Sequence, residues 1–403
     1  MNKDNFIVIS ATCSNAMFEY LSNIKYKNII NPSQKYFKLL LEGMTNHRNV
    51  SINCVSIRTI NPSTSNTRLL KANQDRENGV NYFYVKIRNR KFINYFDMIK
   101  NAYCQSNKII KRNQGQTYLL CDALSICGVL VTLLLAKMKR LKSCAIVTDL
   151  PNFVTAINKE GRPSNFRLLK DKFLSMLLTK FDYYCFITES MNIINKKQMP
   201  YTIVEGIATD NNSSLHFIND NDDFIIMYAG GLYEKFGVKK LIDAIDYLTD
   251  KKIKLYLYGE GDLVDYINHK SRLDSRIQYR GIKSSQEIFE LEKQASLLIN
   301  CRPTGDEFTK YSFPSKIIEY MSSGTPVLTT RLAGIPGEYY PYLFFIDKSD
   351  ENALGIASRI NEIYQNDHEA MNEFGLRAKK YVQFNKNKTF QGGKIIKLMR
   401  ENQ

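Results

Sequence analysis

Short apolar runs alternate with longer amphipathic stretches along most of the chain. In the first half, the apolar runs predicted to be strands are Phe6–Ser10, Ile52–Ile57, Tyr82–Ile87, Tyr118–Cys121, Cys144–Thr148, Tyr183–Ile187 and Thr202–Val204. Between most of them, apolar residues recur three and four positions apart, as in Tyr36–Met44, which predicts helices. A repeating strand–helix–strand order predicts a parallel sheet that is covered on both faces.

A polar stretch, Ala208–Asp223, interrupts this alternation and has the composition of a linker. A second cycle of the same kind follows, with predicted strands at Phe224–Tyr228, Ile253–Tyr258, Ile277–Arg280, Leu297–Asn300, Pro326–Thr330 and Leu343–Ile346. The tail from Ala353 to Met399 has a helical pattern that is broken near Asp367 and Phe384.

The predicted fold is therefore α/β, with two Rossmann-like domains facing a central cleft. We expect an N-terminal domain at 1–207, a second domain at 208–380, and a C-terminal helix at 381–403 that either stays with the second domain or crosses back to the first. Ligands of such sheets bind beyond the carboxyl ends of the strands.

Composition adds an anionic partner to this picture. The formal net charge is +16, which favours nucleic acid, an anionic membrane surface or phosphorylated small molecules, unless it reflects only a solvated lysine-rich surface. The eight cysteines form no CxxC pair, and no secretory signal precedes the first strand. We therefore expect free thiols and a cytoplasmic protein. The most apolar run, Ala123–Ala136, is shorter than the roughly 20 residues of a membrane span and predicts a buried helix.

No metal or cofactor is expected. The four histidines, His47, His216, His269 and His368, are isolated from the cysteines and from each other and lack the spacing of metal ligands.

The segment Asn300–Thr330 carries the clearest chemical signal. Pro314 suits the start of a helix and Ser312 or Ser315 its N-cap, whereas Gly324 and then Pro326 end it.

On a helical wheel, Ser312, Ser315, Lys316 and Glu319 share one stripe, opposite a row of apolar residues. A helix N-terminus with an adjacent lysine can bind a diphosphate. A glutamate one turn deeper can accept hydrogen bonds from both ribose hydroxyls. The alternative is an amphipathic surface helix with an ordinary Lys/Glu pair.

The C-terminal half resembles the donor domain of the retaining family-4 glycosyltransferases of the GT-B fold. The ending EYMSSGTPVLTT at 319–330 is very similar to that family's helix–turn–strand signature. The segments YAGGL at 228–232 with EKFG at 234–237, YGEGD at 258–262 and RGIKSSQEI at 280–288 resemble its phosphate-binding and base-contacting loops, in the same order.

This resemblance implies roles for individual residues. Glu319 corresponds to the glutamate that holds the ribose, and Lys235 to the lysine that contacts the donor diphosphate. Ile282 lies where the backbone recognises the base, and the backbone amides of Phe313 and Ser315 lie near the phosphates. The resemblance also implies transfer from a nucleotide sugar, with a UDP-sugar favoured, retention of the anomeric configuration, independence of metal, and no obvious enzyme base.

Two departures from the family pattern concern charged residues. The family's first glutamate stands eight positions before the second, where this chain has Tyr311. Glu307 is the candidate catalytic substitute, and Tyr311 is the competing contact to the transferred sugar. The arginine that often precedes the leucine of the phosphate loop is replaced by Gly231, and Lys316 is the candidate source of the missing charge.

The N-terminal half is expected to bind the acceptor. Asp149 follows a predicted strand and either contacts a sugar hydroxyl as a second catalytic residue or only caps a turn. The family's glycine pair after the first strand is replaced by Ala11–Asn15, followed by a long loop to Ser33. Asn15, Gln34 and Lys35 either line the acceptor side or belong to a plain polar loop.

Residues 159–178 mix Lys159, Arg162, Arg167, Lys170 and Lys172 with Phe166, Leu168, Leu169, Phe173 and Leu174. Basic amphipathic helices can lie on anionic bilayers. This segment is therefore either a membrane contact at the inner face of the membrane or an ordinary helix with a solvated basic face.

The function expected from the sequence is sugar transfer to a hydroxyl of a glycan or lipid-linked glycan, in the biosynthesis of a cell-surface polysaccharide. A nucleotide-sugar epimerase or phosphorylase on the same fold is the first alternative, and a non-catalytic basic protein that binds nucleic acid or membrane is the second. No nucleic-acid motif is present, so we do not expect a nucleic-acid partner.

Overall fold

The computed structural model describes residues 3–26, 32–151, 165–209 and 223–401. The chain divides into two compact units. Unit 1 comprises Met1–Ile207 and Lys388–Gln403, and unit 2 comprises Ala208–Asn387. The chain thus returns to unit 1 for its last 16 residues.

Unit 1 is built on an eight-stranded sheet of order β10-β9-β8-β7-β1-β2-β5-β4. Its strands are β1 (Asp4–Ser10), β2 (Val50–Ser56), β4 (Asn73–Glu77), β5 (Val80–Tyr84), β7 (Thr117–Asp122), β8 (Lys142–Val147), β9 (Tyr183–Phe186) and β10 (Tyr201–Ile203). All pairs are parallel except β4 with β5. The short strands β3 (Leu69–Leu70) and β6 (Ile87–Arg88) pair separately. All but one residue in each of the central strands β1, β2, β7 and β8 is buried, because helices cover both faces.

The helices of unit 1 are α1 (Asn15–Asn23), α2 (Pro32–Thr45), α3 (Ile93–Arg112), α4 (Ile126–Lys139), α5 (Asn165–Leu178) and α12 (Lys388–Glu401). Right-handed crossovers place α3, α4 and α5 on one face of the sheet and α2 on the other. In agreement, α4 packs against α3 and α5, and α12 packs against α2.

Two glycines allow the close approach of α2 and α12. A Cβ on Gly43 would overlap the carbonyl of Lys388, and one on Gly392 would lie 2.5 Å from the backbone nitrogen of Met44. The side chains of Glu42 and Lys388 pair beside this crossing, at 3.6 Å.

Unit 2 has a six-stranded parallel sheet of order β13-β12-β11-β14-β15-β16. Its strands are β11 (Phe224–Ala229), β12 (Ile253–Tyr258), β13 (Ile277–Tyr279), β14 (Leu297–Asn300), β15 (Val327–Thr330) and β16 (Phe344–Ile346). Its helices are α6 (Val238–Ala244), α7 (Val264–Leu273), α8 (Ser285–Glu292), α9 (Ser315–Ser323), α10 (Ala353–Tyr364) and α11 (His368–Asn385). Short 3₁₀ helices include Glu234–Phe236, Ile245–Tyr247, Glu307–Tyr311, Gly337–Tyr342 and Lys348–Asp350 in this unit and Glu189–Ile194 in unit 1.

Each face of the second sheet has its own apolar core. One core joins Leu241 of α6, Ile267 of α7 and Ile360 of α10 to the strands. The other core joins Ile317 of α9 and Val382 of α11 to the strands from the opposite face. The sheet is therefore covered on both faces, and a ligand site is expected at the carboxyl ends of its strands.

Every strand predicted from the sequence overlaps an observed strand, and the helical tail breaks at 365–367 and 386–387, close to the predicted positions. Prediction missed β4 because its sequence, NQDRE, is polar, as befits an edge strand. The expected long loop before Ser33 was wrong in part: α1 begins at Asn15 with a Ser14 N-cap, and α2 begins at Pro32. The second unit extends to Asn387, beyond the predicted boundary at 380, because α11 continues to Asn385.

The apolar run near Ala123 forms the packed helix α4, as predicted. In the part of the chain that the structure describes, no helix has the length and apolar character of a membrane span. All eight cysteines are free thiols, and only Cys104 is exposed.

Candidate functional site

Close glycine packing brings together the loops at the carboxyl ends of β11 and β12. A Cβ on Gly259 would overlap the carbonyl oxygen of Gly230, and one on Gly261 would overlap that of Leu232. Gly230 and Gly259 have φ of 154° and 128°, in the region that favours glycine. These loops therefore form a compact surface, built largely from backbone, at the carboxyl ends of the strands of the second sheet. We call this surface the glycine floor.

The N-terminus of α9 lies at the same edge, after β14 and before β15. Pro314 occupies the N-cap position, and no side chain caps the helix. The predicted cap by Ser312 or Ser315 was therefore wrong: Ser312 lies in the preceding turn, and Ser315 is the first helical residue. A helix start without a side-chain cap keeps its backbone N–H groups and its positive dipole end for an anion.

The faces of α9 are those that the wheel predicted. Ile317, Ile318 and Met321 are buried in the core, whereas Ser315 is exposed and Lys316 and Glu319 are half-buried. The helix ends at Gly324, which has φ of 90°, as predicted from the sequence.

Lys316 reaches from α9 onto the glycine floor. Its Nζ lies 5.1 Å from the centre of the Tyr228 ring and so close to Gly230 that a Cβ there would overlap it. Burial lowers the pKa of Lys316 to about 8, with Glu319 opposing the shift and the charge of Arg302 adding to it. A bound anion stabilises the charged form of an ammonium group whose pKa is depressed by desolvation.

Arg302 lies beside Lys316 and Lys235 and was not predicted from the sequence. It lies two residues after β14, and its guanidinium carbon is 4.9 Å from the ring centre of Phe236. On the same ring, Nζ of Lys235 lies 5.3 Å from the centre. Burial lowers the pKa of Arg302. Lys235, Lys316 and Arg302 thus form a cluster that we call the cation cluster.

Glu319 and Glu307 differ in their surroundings. Glu319 is half-buried one turn into α9, where it interacts electrostatically with Lys316. Glu307 is exposed at the start of the 3₁₀ helix Glu307–Tyr311, and Tyr311 is half-buried at its end.

The short turn after this 3₁₀ helix is held close to the loop that contains Gly334. A Cβ on Gly334 would overlap the carbonyl of Ser312. Phe313 is buried, with its ring 5.4 Å from that of Tyr339. The backbone that leads into α9 is therefore anchored on both sides.

The predicted base-contacting loop follows β13. Ile282 has 66% of its surface exposed. Next to it, Gly281 accepts a hydrogen bond from the backbone N–H of Gly259 at 2.9 Å, and the Tyr279 hydroxyl donates to the Gly259 carbonyl at the same distance. Gly231 is half-buried against Tyr233. These contacts join the Ile282 loop to the glycine floor.

In unit 1, Asp149 has a companion that the sequence analysis missed. Asp122 ends β7, and Asp149 lies just beyond the neighbouring strand β8. Burial raises the pKa of both carboxyls to about 6, and the negative charge of Asp149 contributes to the shift of Asp122. The two carboxyls therefore interact at the carboxyl edge of the first sheet.

The acceptor-side candidates have structural partners. The Gln34 side chain bonds the backbone of Cys13 in both directions, at 3.1 Å and 2.6 Å. The Asn15 amide oxygen accepts from Lys38, and its backbone N–H donates to Glu77 at 2.8 Å. Lys35 is exposed on the first turn of α2.

The basic segment predicted at 159–178 is described only from Asn165, where α5 begins. Lys159 and Arg162 lie outside the described residues, as do the side chains of Phe166 and Arg167. Leu168, Leu169 and Phe173 are exposed, whereas Leu174 is buried. Within residues 3–26, 32–151, 165–209 and 223–401, no group of three or more His, Cys, Asp or Glu residues is arranged to hold a metal.

Comparison with solved structures shows the class of fold to which the chain belongs. Solved structures with the same fold include a sucrose-phosphate synthase from Thermosynechococcus elongatus, with a TM-score of 0.68 and 12% identity over 99% of both chains. Anabaena HepE in complex with UDP and glucose has a TM-score of 0.57 and 12% identity over 100% of both chains. A mutant of S. aureus TarM in complex with fondaparinux, α-GlcNAc-glycerol and UDP has a TM-score of 0.52 and 15% identity, over 83% of this chain and 64% of that one.

These likenesses show that the chain has the GT-B fold. Residues 223–366, within unit 2, match the family model described as Glycosyl transferases group 1. No curated protein sequence matches the chain. The family match and the fold together support a GT-B glycosyltransferase.

Proposed function

We propose that the protein transfers a sugar from a nucleotide diphosphate sugar, with a UDP-sugar favoured, to a hydroxyl of a glycan or a lipid-linked glycan. The observation that carries the proposal is the cation cluster at the uncapped N-terminus of α9, above a floor of glycine backbone. Backbone N–H groups, a dipole end and clustered cations are the features that bind a diphosphate. The HepE structure, which contains UDP and glucose, supports the choice of uridine.

In this proposal, the cluster stabilises the leaving group. As the bond between the sugar and the diphosphate breaks, negative charge grows on the diphosphate oxygen that departs. Lys316 and Arg302 are already in place and partly removed from water, so their attraction to this charge is stronger than in solution. Glu319, one turn deeper on the same face of α9, accepts hydrogen bonds from the two ribose hydroxyls and fixes the register of the nucleotide.

Metal independence and retention of configuration are part of the proposal. Metal independence follows if the protein's own cations supply the charge that the diphosphate requires. Adding EDTA to an assay of the purified protein would then leave the rate unchanged, whereas a metal-dependent enzyme would stop. Proton NMR of the first product formed would report the anomeric configuration, and inversion would contradict retention. Glu307 and Tyr311 are the two candidates for contact with the transferred sugar.

The acceptor is proposed to bind against unit 1. Asp149 and Asp122 support this assignment, because carboxyls with a pKa near 6 can hold or accept a proton from a hydroxyl near neutral pH. We propose a glycan or lipid-linked acceptor from cell-surface polysaccharide biosynthesis, and a protein that works in the cytoplasm at the inner face of the membrane. The TarM structure, which contains fondaparinux and α-GlcNAc-glycerol, supports a glycan acceptor.

The test of the donor site is a thermal-shift panel with UDP, GDP and ADP on the parent protein and on Lys316→Ala and Glu319→Ala. A nucleotide at 100 times its dissociation constant stabilises the folded state by about 2.7 kcal/mol. We expect UDP to give the largest shift on the parent and both variants to lose most of it.

Lys251→Ala is the matched control. It removes a lysine from the same unit, in the turn before β12. This turn lies at the amino ends of the strands, away from the carboxyl ends where the candidate site lies. This variant should keep the full response to UDP. A parent protein that no nucleotide stabilises would refute the donor-site assignment, and an equal loss in the control would show that the response does not come from α9.

A further inference from the structure

Helices α3, α4 and α5 present an exposed surface on the side that faces away from the first sheet. We call this surface the outer face. Its large apolar side chains include Tyr95 and Phe96 of α3, Leu134 and Met138 of α4, and Leu169 and Phe173 of α5. The exposed fractions reach 60% for Phe96 and 68% for Leu169. Single exposed apolar residues are ordinary, but a set that spans three adjacent helices is not.

Helical spacing aligns these residues into stripes. On α5, Leu168, Leu169, Lys172, Phe173 and Met176 are exposed, at spacings of three and four residues. The buried residues of the helix, Leu174, Leu177 and Leu178, lie on the other side. The helix therefore has one apolar side toward the sheet and a second, mixed apolar and basic side toward solvent.

The stripes of the three helices adjoin each other. The Tyr103 hydroxyl of α3 donates to the sulfur of Met138 on α4, at 3.5 Å. On the other side of α4, the charge of Lys170 on α5 acts on the thiol of Cys127. Because α4 packs against both neighbours, the exposed side chains belong to one continuous surface.

The exposed charges of the outer face are positive. Its exposed basic residues include Lys100, Lys108, Lys137, Lys139 and Lys172. The acidic residues of the three helices are Asp97, which is buried and paired with Arg88 at 2.7 Å, and Asp171, which is half-buried. Lysine and aromatic side chains are interleaved, with Nζ of Lys100 5.9 Å from the ring centre of Phe96.

This combination identifies the partner by its chemistry. A second copy of the chain would bring like charges together if the outer faces met across a two-fold axis. A nucleic acid would match the lysines, but the leucine and methionine side chains of α4 and α5 do not stack on bases. An anionic bilayer matches both features, because apolar side chains enter the headgroup region while lysines reach the lipid phosphates.

We infer that the outer face of α3, α4 and α5 docks the protein on an anionic lipid bilayer, with the three helices lying along the membrane surface. The protein then binds as a peripheral protein, through side chains of folded helices. This inference rests on unit 1 alone and does not depend on the donor site in unit 2.

Co-sedimentation of the full chain with vesicles tests the inference. Vesicles of phosphatidylcholine alone are compared with vesicles that contain one quarter phosphatidylglycerol. We expect binding to the anionic vesicles that weakens as salt is added and little binding to the neutral ones. Each lysine at the surface contributes about five-fold to the partition coefficient. The pair Lys137→Gln with Lys172→Gln should therefore lower it about 25-fold.

A second pair, Leu169→Ser with Phe173→Ser, keeps the charge and removes apolar contact. It should also weaken vesicle binding, which distinguishes a bilayer from a purely electrostatic partner. The matched control is Phe390→Ser with Lys397→Gln on α12, which lies on the opposite face of the sheet and also exposes an aromatic residue and a lysine. Thermal melting of each variant checks that it is folded.

The inference fails if the parent protein does not sediment with anionic vesicles or if the control pair loses as much binding as the two test pairs. It also fails if a DNA duplex binds as tightly as the vesicles do and only the lysine pair changes vesicle binding, since the outer face would then be a nucleic-acid surface. If one pair does not fold, the other pair decides the question.

Discussion

Single residues set the charge of the candidate donor site. The sequence replaces the expected arginine of the phosphate loop with Gly231, which left Lys316 as the candidate for the missing charge. The structure adds Arg302, whose guanidinium group packs against the same Phe236 ring as Lys235. The charge of the site therefore comes from two strand-end loops and the first turn of α9.

The depressed pKa of Lys316 predicts a pH dependence of nucleotide binding. Below pH 8 the lysine is protonated in the free protein, so the dissociation constant of UDP should be flat with pH. Above pH 8 the free protein loses this proton, and binding must restore it, so affinity should fall by up to about tenfold per pH unit. Isothermal titration calorimetry between pH 7 and 9.5, in two buffers of different ionisation enthalpy, measures both the affinity and the proton uptake.

Lys316→Arg provides the control for this prediction. An arginine stays protonated throughout the range, so the variant should bind UDP with little dependence on pH and without proton uptake. The same slope in parent and variant would assign the titration to another group. Lys316→Ala should bind about 10- to 100-fold more weakly below pH 8, the cost of losing a hydrogen bond from a charged group.

Gly230 is predicted to be essential to the position of Lys316. A Cβ at Gly230 would overlap Nζ of the lysine, and the φ of 154° disfavours any residue with a side chain. Gly230→Ala should weaken UDP binding about tenfold or more, because the flexible lysine must move away. It should lower the free energy of unfolding by only about 1–3 kcal/mol, the cost of an unfavourable backbone conformation. Calorimetry and urea unfolding measure the two effects, and unchanged UDP affinity would contradict this role.

Among the helices, α9 has one face that is expected to contribute to stability and another that is expected to contribute to nucleotide binding. Ile317 is fully buried in a core, so Ile317→Ala should lower the free energy of unfolding by about 2–5 kcal/mol. Glu319→Ala, two residues on, should change it by about 0.5 kcal/mol or less. Only Glu319→Ala should abolish discrimination between UDP and 2′-deoxy-UDP, because the carboxylate is proposed to hold the ribose hydroxyls. Urea unfolding and competitive binding test the pair, and discrimination that survives in Glu319→Ala would rule out this role.

The sequence predicts most of these elements because their signals are local. The strands are short apolar runs bounded by turn residues, and α9 is framed by Pro314 and Gly324. The N-cap of α9 was predicted wrongly because serines flank Pro314, and only the backbone shows that the proline occupies the cap position. The edge strand β4 was missed because it is polar on both faces.

The parts of the site that could not be predicted depend on contacts distant in sequence. Arg302 reaches the site through Phe236, which is 66 residues earlier in the chain. Asp122 approaches Asp149 only because β7 and β8 are neighbours in the sheet. The outer face was visible in the sequence only as a basic stretch at 159–178, since the contributions of α3 and α4 require knowledge of which sides of those helices are buried.

At the scale of the whole molecule, unit 1 is built from two separate stretches of the chain, and unit 2 lies between them in sequence. After unit 2 ends at Asn387, α12 returns and packs on α2, where Gly43 and Gly392 allow backbone contact. Bonds to the end of the first stretch of unit 1 reinforce this packing: Gln391 donates to the Gly206 carbonyl at 2.7 Å, and Lys394 donates to the Ile203 carbonyl at 3.0 Å. The stability of unit 1 should therefore depend on residues that follow unit 2 in the sequence.

Adjacent glycines of α12 provide a matched test of this dependence. In Gly392→Ala the new Cβ would meet the backbone of Met44 and Gly43, at 2.5 Å and 2.7 Å, so the two helices must separate. In Gly393→Ala its nearest neighbours would be atoms of the His47 ring, at 2.8 Å and 3.0 Å, a side chain that can move at the cost of its hydrogen bond with the Thr389 carbonyl. Both changes add the same helix propensity, about 1 kcal/mol. Gly392→Ala should nevertheless destabilise unit 1 by about 1–3 kcal/mol, whereas Gly393→Ala should be close to neutral.

Hydrogen exchange measured by mass spectrometry reads the two units separately. Gly392→Ala should speed exchange in α2, α12 and the strands of the first sheet while leaving β11 to β16 protected as in the parent. The UDP-induced shift should persist because the residues of the proposed donor site all belong to unit 2. Equal loss of protection in both units would mean that the molecule unfolds as one cooperative body and that α12 stabilises more than the unit it joins.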